Sequence, residues 1–145
     1  MTSLTATVPG VPQPQGSIRS LGKGRPSVHS NADRLLPWRG DVIEYLRRAM
    51  DADQVEPGWP MSGPIEVHVH FQLPKPRSAP KSRRHPDRKP DIDKLVRAVL
   101  DCLGSKKGAG VIFDDAQVVQ LTARKTYGDP GCSVTVSSLA LEVAG

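Results

Sequence analysis

Residues 65–72, with the sequence IEVHVHFQ, alternate strictly between apolar and polar side chains. Because side chains in a β-strand point alternately to the two faces of a sheet, this pattern predicts a strand with one buried and one polar face. The polar face carries His68 and His70, an HxH pair of the kind that can bind zinc. Nothing nearby supplies further cysteine or histidine ligands, so a half-exposed polar sheet face is the favoured interpretation.

Two amphipathic helices are predicted, one on each side of this strand in the sequence. Apolar residues recur at helical spacing over residues 35–52 and again from Asp91 to Leu103. The apolar face of the first helix is predicted to comprise Leu36, Val42, Ile43, Leu46 and Met50. The buried stripe of the second is predicted to comprise Ile92, Leu95, Val96, Val99 and Leu103.

Further strands are predicted before and after the helices. They are residues 3–8, 111–113, 117–127 and 132–143, with the turn GDPG joining the last two. The resulting order, β–α–β–α–β–β–β, predicts an α/β (α+β) fold in which two main helices pack on a single mixed β-sheet. With 145 residues, the chain is expected to form a single domain, residues 1–145.

The composition argues against a membrane or secreted protein. No apolar run reaches the roughly 18 to 20 residues needed to span a bilayer, and the N-terminus lacks the order of a signal peptide. Two cysteines, Cys102 and Cys132, are too few for a disulfide framework. We therefore expect a cytoplasmic protein. A loop rich in proline and glycine, residues 9–32, is expected to be mobile without a ligand.

Positive charge is concentrated in one segment, residues 74–90, which we call the basic loop. It contains seven lysine and arginine residues and one acidic residue, whereas the net charge of the whole chain is only +5. The basic residues are Lys75, Arg77, Lys81, Arg83, Arg84, Arg88 and Lys89. Such a segment suits a nucleic-acid backbone, because neutralised phosphates release counterions. A solvated, proline-stiffened loop is the alternative.

Four carboxylates lie at predicted element boundaries, where functional groups are often presented. They are Asp91, Asp93, Asp114 and Asp115. If Asp91 and Asp93 straddle the start of the second helix, both can point toward one place, and an aspartate of the FDDAQ turn could join them. Close carboxylates repel one another unless a cation is present, and Mg²⁺ prefers oxygen ligands of this kind.

Structural roles remain open for the same carboxylates. Asp91 could cap the helix, Asp93 could complement the helix dipole, and the DD pair could serve the turn. Asp93, Arg97 and Asp101 also fall at i, i+4 and i+8, which makes one polar stripe. That stripe is either a ladder of surface ion pairs, each contributing about 0.2–0.5 kcal/mol, or a means of placing Arg97 against a phosphate.

Together, these segments resemble the core of the RusA family of Holliday junction resolvases. The resemblance rests on KPDIDKLVRAVLDCL (residues 89–103), a short loop with glycine and lysine, and VIFDDAQVVQLTARK (residues 111–125). The opening VPGVPQPQGSIRS is also similar to that of many family members. The resemblance implies a homodimeric endonuclease that depends on Mg²⁺, with Mn²⁺ able to replace it, and that cuts branched DNA by paired nicks.

The resemblance also assigns roles to individual residues. Asp91, Asp93 and Asp115 match the three metal-binding acidic positions of the family, and Asp114 matches an acidic neighbour. Lys125 matches a basic residue on the strand after the turn, which we take as a DNA contact.

Two positions depart from the family pattern. Lys94 stands where the family has asparagine, and Arg97 stands where it has a catalytic lysine. Arginine keeps the positive charge and can hold a phosphate in bidentate fashion, but it does not readily donate a proton. If the family lysine acts as a general acid, this protein is expected to be slower or to use water instead; if the lysine only stabilises charge, Arg97 suffices.

The resemblance thus implies an endodeoxyribonuclease that resolves four-way DNA junctions in recombination and repair, associated with the nucleoid. Its predicted catalytic residues are Asp91, Asp93, Asp115 and Arg97. A homodimer suits this activity, since two symmetric sites can make two symmetric cuts. Two alternatives are a non-catalytic protein that binds branched DNA and a metal-dependent nuclease that acts on flaps or forks.

Overall fold

The computed structural model describes residues 2–16, 18–19, 22–25, 28–29, 31–52 and 58–140, with only the backbone at 18–19 and 28–29. The strands are β1 (Ser3–Pro9), β2 (Ile18–Arg19), β3 (Val28–His29), β4 (Ile65–Leu73), β5 (Val118–Tyr127) and β6 (Gly131–Ser138). The helices are α1 (Ala32–Ala52), α2 (Ile92–Leu100) and a short 3₁₀ helix, η1 (Asp115–Gln117). The predicted α+β fold, with one mixed main sheet and two helices, is confirmed.

The four strands of the main sheet follow the order β1–β6–β4–β5. β4 pairs in parallel with β5 and antiparallel with β6, and β6 pairs antiparallel with β1. The turn between β5 and β6 therefore does not close a hairpin, because β4 lies between these two strands. β2 and β3 pair separately within the loop over residues 9–32.

One face of the main sheet is buried under both helices. Side chains of the strands and of both helices belong to a single apolar cluster, which includes Val67, Phe71, Val134, Leu46 and Val99. Phe71 is completely buried, as expected for a large side chain on the central strand. Burying each such side chain contributes about 1.5–3 kcal/mol, so this cluster is the main source of stability.

The other face of the main sheet is polar, as the alternation over residues 65–72 predicts. The hydroxyl oxygens of Thr5 and Thr135 lie 3.0 Å apart across the β1–β6 pair. Nε2 of His70 lies 2.7 Å from the hydroxyl of Thr126. Burial, followed by the nearby charge of Arg124, lowers the pKa of His70. The histidine pair therefore belongs to a hydrogen-bonded polar face.

The apolar face of α1 differs from its prediction near the N-terminus. The helix begins at Ala32, and its buried side chains are Leu35, Trp38, Val42 and Leu46. Leu36, which was predicted to be buried, is 61% exposed. The observed spacing of three, four and four residues follows one side of a 3.6-residue helix, and that spacing includes Leu35 in place of Leu36.

Residues 111–113 do not form the predicted strand. Ile112 makes one isolated bridge with Met61, and the N–H groups of Val111 and Ile112 both donate to the carbonyl of Leu103. The segment is thus held to Leu103, just after α2, although Val111 and Ile112 are buried in the core as apolar residues should be. The last strand ends at Ser138, earlier than predicted, and residues 141–143 of that prediction lie outside the described chain.

The loop over residues 104–110 turns tightly after α2. A Cβ atom at Gly108 would lie 2.2 Å from the carbonyl oxygen of Cys102, so no other residue fits there without a shift of the backbone. The N–H of Ala109 also donates to that carbonyl, at 2.8 Å. This turn fixes the path from α2 to η1. In the parts of the chain that the structure describes, no helix is long and apolar enough to cross a membrane.

Candidate active site

Asp91 stands at the junction between the basic loop and α2. Its backbone is extended (φ −68°, ψ 137°), and its carbonyl accepts a hydrogen bond from the N–H of Leu95 at 3.1 Å. Its carboxylate makes no capping bond to the helix and is exposed to solvent. Nζ of Lys94 lies 3.9 Å from this carboxylate. Capping by the side chain, one of the two roles open from the sequence, is therefore not seen.

Lys125 anchors the chain just before Asp91. Its ammonium group donates to the carbonyl oxygens of Arg88 and Pro90, at 2.7 and 2.8 Å. Lys125 lies on β5 opposite Phe71 of β4, so these bonds join the end of the basic loop to the main sheet. The predicted DNA contact at Lys125 remains a prediction, but two of its three N–H donors serve to position this segment.

The polar stripe on α2 does not form an ion-pair ladder. Among the described residues, Asp93 and Arg97 make no ion pair with each other, and Asp101 instead lies 3.9 Å from Arg39 of α1. Asp93 and Arg97 are both exposed. Their side chains are consequently available to a ligand, as the alternative interpretation of the stripe requires.

Asp114 and Gln117 form a capping box around η1. The carboxylate of Asp114 accepts a hydrogen bond from the N–H of Ala116 at 3.0 Å. The side-chain oxygen of Gln117 accepts from the N–H groups of Phe113 and Asp114, at 2.8 and 3.0 Å. This reciprocal arrangement satisfies N–H groups that have no partner within the helix. Asp114 therefore has the structural role in the turn.

The amide of Gln117 also fastens η1 to the segment before β4. Its Nε2 donates to the carbonyl oxygens of Met61 and Gly63, at 2.9 and 3.0 Å. One side chain thus makes four hydrogen bonds and sets the position of the neighbouring Asp115. The D-x-x-Q spacing of a capping box is the signal in the sequence that could have identified Gln117.

Asp115 lies among other carboxylates. A hydrogen bond with Asp114, followed by burial and by the charges of Asp114 and Asp101, raises the pKa of Asp115. Asp114 shows the opposite change: hydrogen bonds, first from the N–H of Ala116 and then with Asp115, lower its pKa. This electrostatic repulsion is of the kind that a bound cation relieves. The contribution of Asp101 was not anticipated from the sequence.

The predicted metal ligands lie on two elements: Asp91 and Asp93 at the start of α2, and Asp115 at the start of η1. Across the described ranges, no three histidine, cysteine or acidic side chains are arranged to hold a metal ion. The convergence of these three aspartates in one coordination sphere stays a prediction. Their carboxylate oxygens are nevertheless the type of donor that Mg²⁺ prefers.

The basic loop is shaped by short turns and leaves most of its cations exposed. Backbone hydrogen bonds of 3.0 Å join Ala79 to Pro76 and Arg83 to Pro80. The residues of the predicted phosphate track that are exposed to solvent are Lys75, Arg77, Lys81, Arg84, Arg88 and Lys89. Asp87, the single acid of the loop, lies 4.0 Å from Arg83 and 3.7 Å from Arg88. A strong positive surface therefore leads directly to Asp91.

An α+β chain that presents exposed carboxylates beside a strongly basic loop has the features of an enzyme that acts on nucleic acids. The family model described as Endodeoxyribonuclease RusA matches residues 9–137, most of the chain. The uncharacterized protein YqaN of Bacillus subtilis (strain 168) is 30% identical over 143 residues, which cover 89% of this chain and 91% of that protein. The chain belongs to the RusA endodeoxyribonuclease family, as the sequence resemblance indicates, and is therefore an enzyme.

Replacing Gln117 with alanine is expected to destabilise the protein. The substitution removes four hydrogen bonds at once and should lower the free energy of unfolding by about 1–3 kcal/mol, measured by urea denaturation. The matched control is Gln120→Ala, at an exposed position of β5, which should change the free energy by less than about 0.5 kcal/mol. Equal stabilities for the two variants would contradict the role given to Gln117.

Proposed function

We propose that this protein is a Mg²⁺-dependent Holliday junction resolvase that makes paired, symmetric nicks in four-way DNA junctions. One observation carries the proposal: Asp91 and Asp93 begin α2, with exposed carboxylates, immediately after the basic loop. Membership of the RusA endodeoxyribonuclease family supports it. Recombination and DNA repair, close to the nucleoid, are the processes that this activity would serve.

Asp91, Asp93 and Asp115 would supply carboxylate oxygens to the metal. Asp91 and Asp93 lie at the start of α2, and Asp115 lies at the start of η1, next to the capping box of Asp114 and Gln117. The hydrogen bond with Asp114 and burial, followed by the charges of Asp114 and Asp101, raise the pKa of Asp115, and a divalent cation would compensate those charges. When bound, the metal would lower the pKa of a water molecule and stabilise the charge that develops on the cleaved phosphodiester.

Arg97 would hold the scissile phosphate. It lies one helical turn after Asp93, is exposed, and makes no ion pair within the described part of the chain. A guanidinium group can bind two phosphate oxygens at once and stays protonated at neutral pH. Arg97 would therefore stabilise negative charge, and the proton for the leaving oxygen would come from water.

A second copy of the chain would complete the enzyme. Among the described strands, β5 pairs only with β4, so its other edge is open. Val119 and Leu121 on this edge strand are 66% and 44% exposed, and Phe113 nearby is 53% exposed. An open apolar strand edge is a template for pairing with another chain. Pairing of two β5 strands about a twofold axis would give two sites for two cuts.

The catalytic proposal is tested with a synthetic four-way junction in Mg²⁺. Asp93→Asn should retain junction binding in a gel-shift assay but cut on the order of 10²- to 10³-fold more slowly, since one charged group of the site is lost. Asp41→Asn, at an exposed position of α1, removes the same charge elsewhere and should cut normally. If wild type binds but does not cut in Mg²⁺ or Mn²⁺, the protein is a non-catalytic binder. Preferential cutting of flaps or forks would favour the other alternative.

The phosphate track is tested by the salt dependence of DNA binding. Arg77 and Arg84 are exposed residues of the basic loop. Changing both to alanine should reduce the slope of log K against log salt by up to about 2, because each released contact contributes about 0.9. The matched control changes Arg47 and Arg48 of α1, which removes the same net charge. A slope that falls equally in both double variants would show a general charge effect and argue against the track.

The proposed dimer is tested by sedimentation of the purified protein. Leu121→Glu places a charge on the open edge of β5 and should convert a dimer into a monomer, with loss of paired nicking. Leu36→Glu, at an exposed position of α1, serves as the control and should remain dimeric. A wild-type protein that sediments as a monomer when bound to a junction would rule out the twofold arrangement.

A further inference from the structure

A cleft of about 670 Å³ opens between residues 11–16, the basic loop and the start of α2. It lies beside the proposed catalytic site, because Asp91 is part of its wall. Its volume falls within the range of about 300–1,000 Å³ that is typical of pockets for small ligands. Nothing in the proposed nicking chemistry requires a pocket of this size next to the carboxylates.

The walls of the cleft are held in place by specific bonds. The N–H of Gln15 donates to the carbonyl of Lys94 in α2, at 3.0 Å. Nδ2 of Asn31 donates to the carbonyl of Pro14, at 2.8 Å. The N-terminal segment is thereby fastened both to α2 and to the residue that precedes α1. The hydrogen bonds of the fold therefore define the shape of the cleft.

The rim of the cleft is strongly cationic. The positively charged residues along it are Arg34, Arg83, Arg88, Lys89 and Lys94, and Asp91 is the acidic residue among the described lining. Arg83 and Arg88 share the carboxylate of Asp87, so the rim keeps a large excess of positive charge. An anionic group, such as a phosphate, is the complementary ligand.

Apolar residues also line the cleft, and three of them, Pro12, Leu73 and Pro86, are buried. Its walls include Val11, Pro12, Leu73, Pro86 and the ring of Tyr127. This part of the lining is hydrophobic, because proline rings lack an N–H donor. The Tyr127 ring offers a surface for stacking, and Nζ of Lys75 lies over it, 5.7 Å from the ring centroid. A ligand with a phosphate at one end and a flat ring at the other matches both parts. A nucleotide has this composition.

Bases within a double helix cannot enter a cleft, because they are stacked and paired. A base that is unpaired can turn outward, stack on an aromatic or guanidinium group and leave its phosphate at the rim. Unpaired or easily opened bases occur where strands exchange at a DNA branch point. A cleft that bound such a base would distinguish branched from uninterrupted duplex DNA by a property other than overall shape.

We propose that this cleft binds one unpaired nucleotide of the DNA substrate, with its base against Tyr127 and the prolines and its phosphate against Arg34 and the other rim cations. The inference rests on the proposed function, since it explains how a nuclease of this kind would select branched DNA. Binding there brings the adjoining phosphodiester toward Asp91. Selection of the branch then depends on capture of an extruded base.

The test uses a duplex with a single-nucleotide bulge that carries 2-aminopurine, and a fully paired duplex of the same sequence, both in EDTA so that no cutting occurs. Wild type should bind the bulged duplex about tenfold more tightly, as expected for stacking of one base. It should also protect the 2-aminopurine several-fold from quenching by acrylamide. Equal affinity for the two duplexes, or a fluorophore as accessible as in free DNA, would overturn the inference.

Two pairs of variants locate the binding in the cleft. Val11→Trp fills the cleft from a position that is 46% exposed and should abolish both the preference and the protection. Leu36→Trp, at an exposed position outside the cleft, should preserve them. Arg34→Ala should weaken binding of the bulged duplex several-fold, whereas Arg47→Ala on the same helix should not. Retention of the full preference by both Val11→Trp and Arg34→Ala would overturn the assignment.

Nicking of a four-way junction in Mg²⁺, measured in parallel, separates this inference from the proposed function. Nicking without protection of the base would overturn the cleft assignment alone. Protection of the base without nicking would overturn the nuclease proposal and support the cleft as a site for an unpaired nucleotide.

Discussion

The parallel pairing of β4 with β5 is the constraint on which the rest of the structure depends. Two parallel neighbours cannot be joined by a tight turn, so the chain must cross from one end of the sheet to the other. That crossover, residues 74–117, contains the basic loop, α2, the loop over residues 104–110 and η1. Every residue of the proposed catalytic set therefore lies on a single connection, and the core beneath α2 holds it in place.

Electrostatics along this connection explain why its parts belong together. The pKa of Asp115 is raised by its hydrogen bond with Asp114, by burial and by the charges of Asp114 and Asp101, whereas Asp91 lies 3.9 Å from Lys94 and lines the same cleft as Arg88 and Lys89. The loop attracts a polyanion, and the aspartates provide donors for a cation that would bridge the protein and the polyanion. Lys125 also has a structural contribution, because its hydrogen bonds to the carbonyl oxygens of Arg88 and Pro90 join the end of the basic loop to β5.

The spacing of apolar residues correctly predicted the strands and helices in which that spacing fits only one type of secondary structure. β4 was evident from the alternation of Ile65, Val67, Val69 and Phe71, and α2 from its apolar stripe. Patterns were less informative at Leu36 and at residues 111–113, where short apolar runs fit more than one structure. Leu36 is exposed, and residues 111–113 are held by hydrogen bonds to the carbonyl of Leu103 instead of by pairing in a sheet. Two of the four hydrogen bonds of Gln117 go to the carbonyl oxygens of Met61 and Gly63, more than fifty residues away.

The sequence by itself determined the fold class, the concentration of charge in residues 74–90, and the aspartates that match the family pattern, because these depend on composition and on spacing along the chain. Only the tertiary structure decided the strand order, the freedom of the Asp91 carboxylate from helix capping, and the cleft between residues 11–16 and the basic loop. These features arise from contacts between distant segments. Such contacts are selected by the packing of the whole core, and no local pattern encodes them.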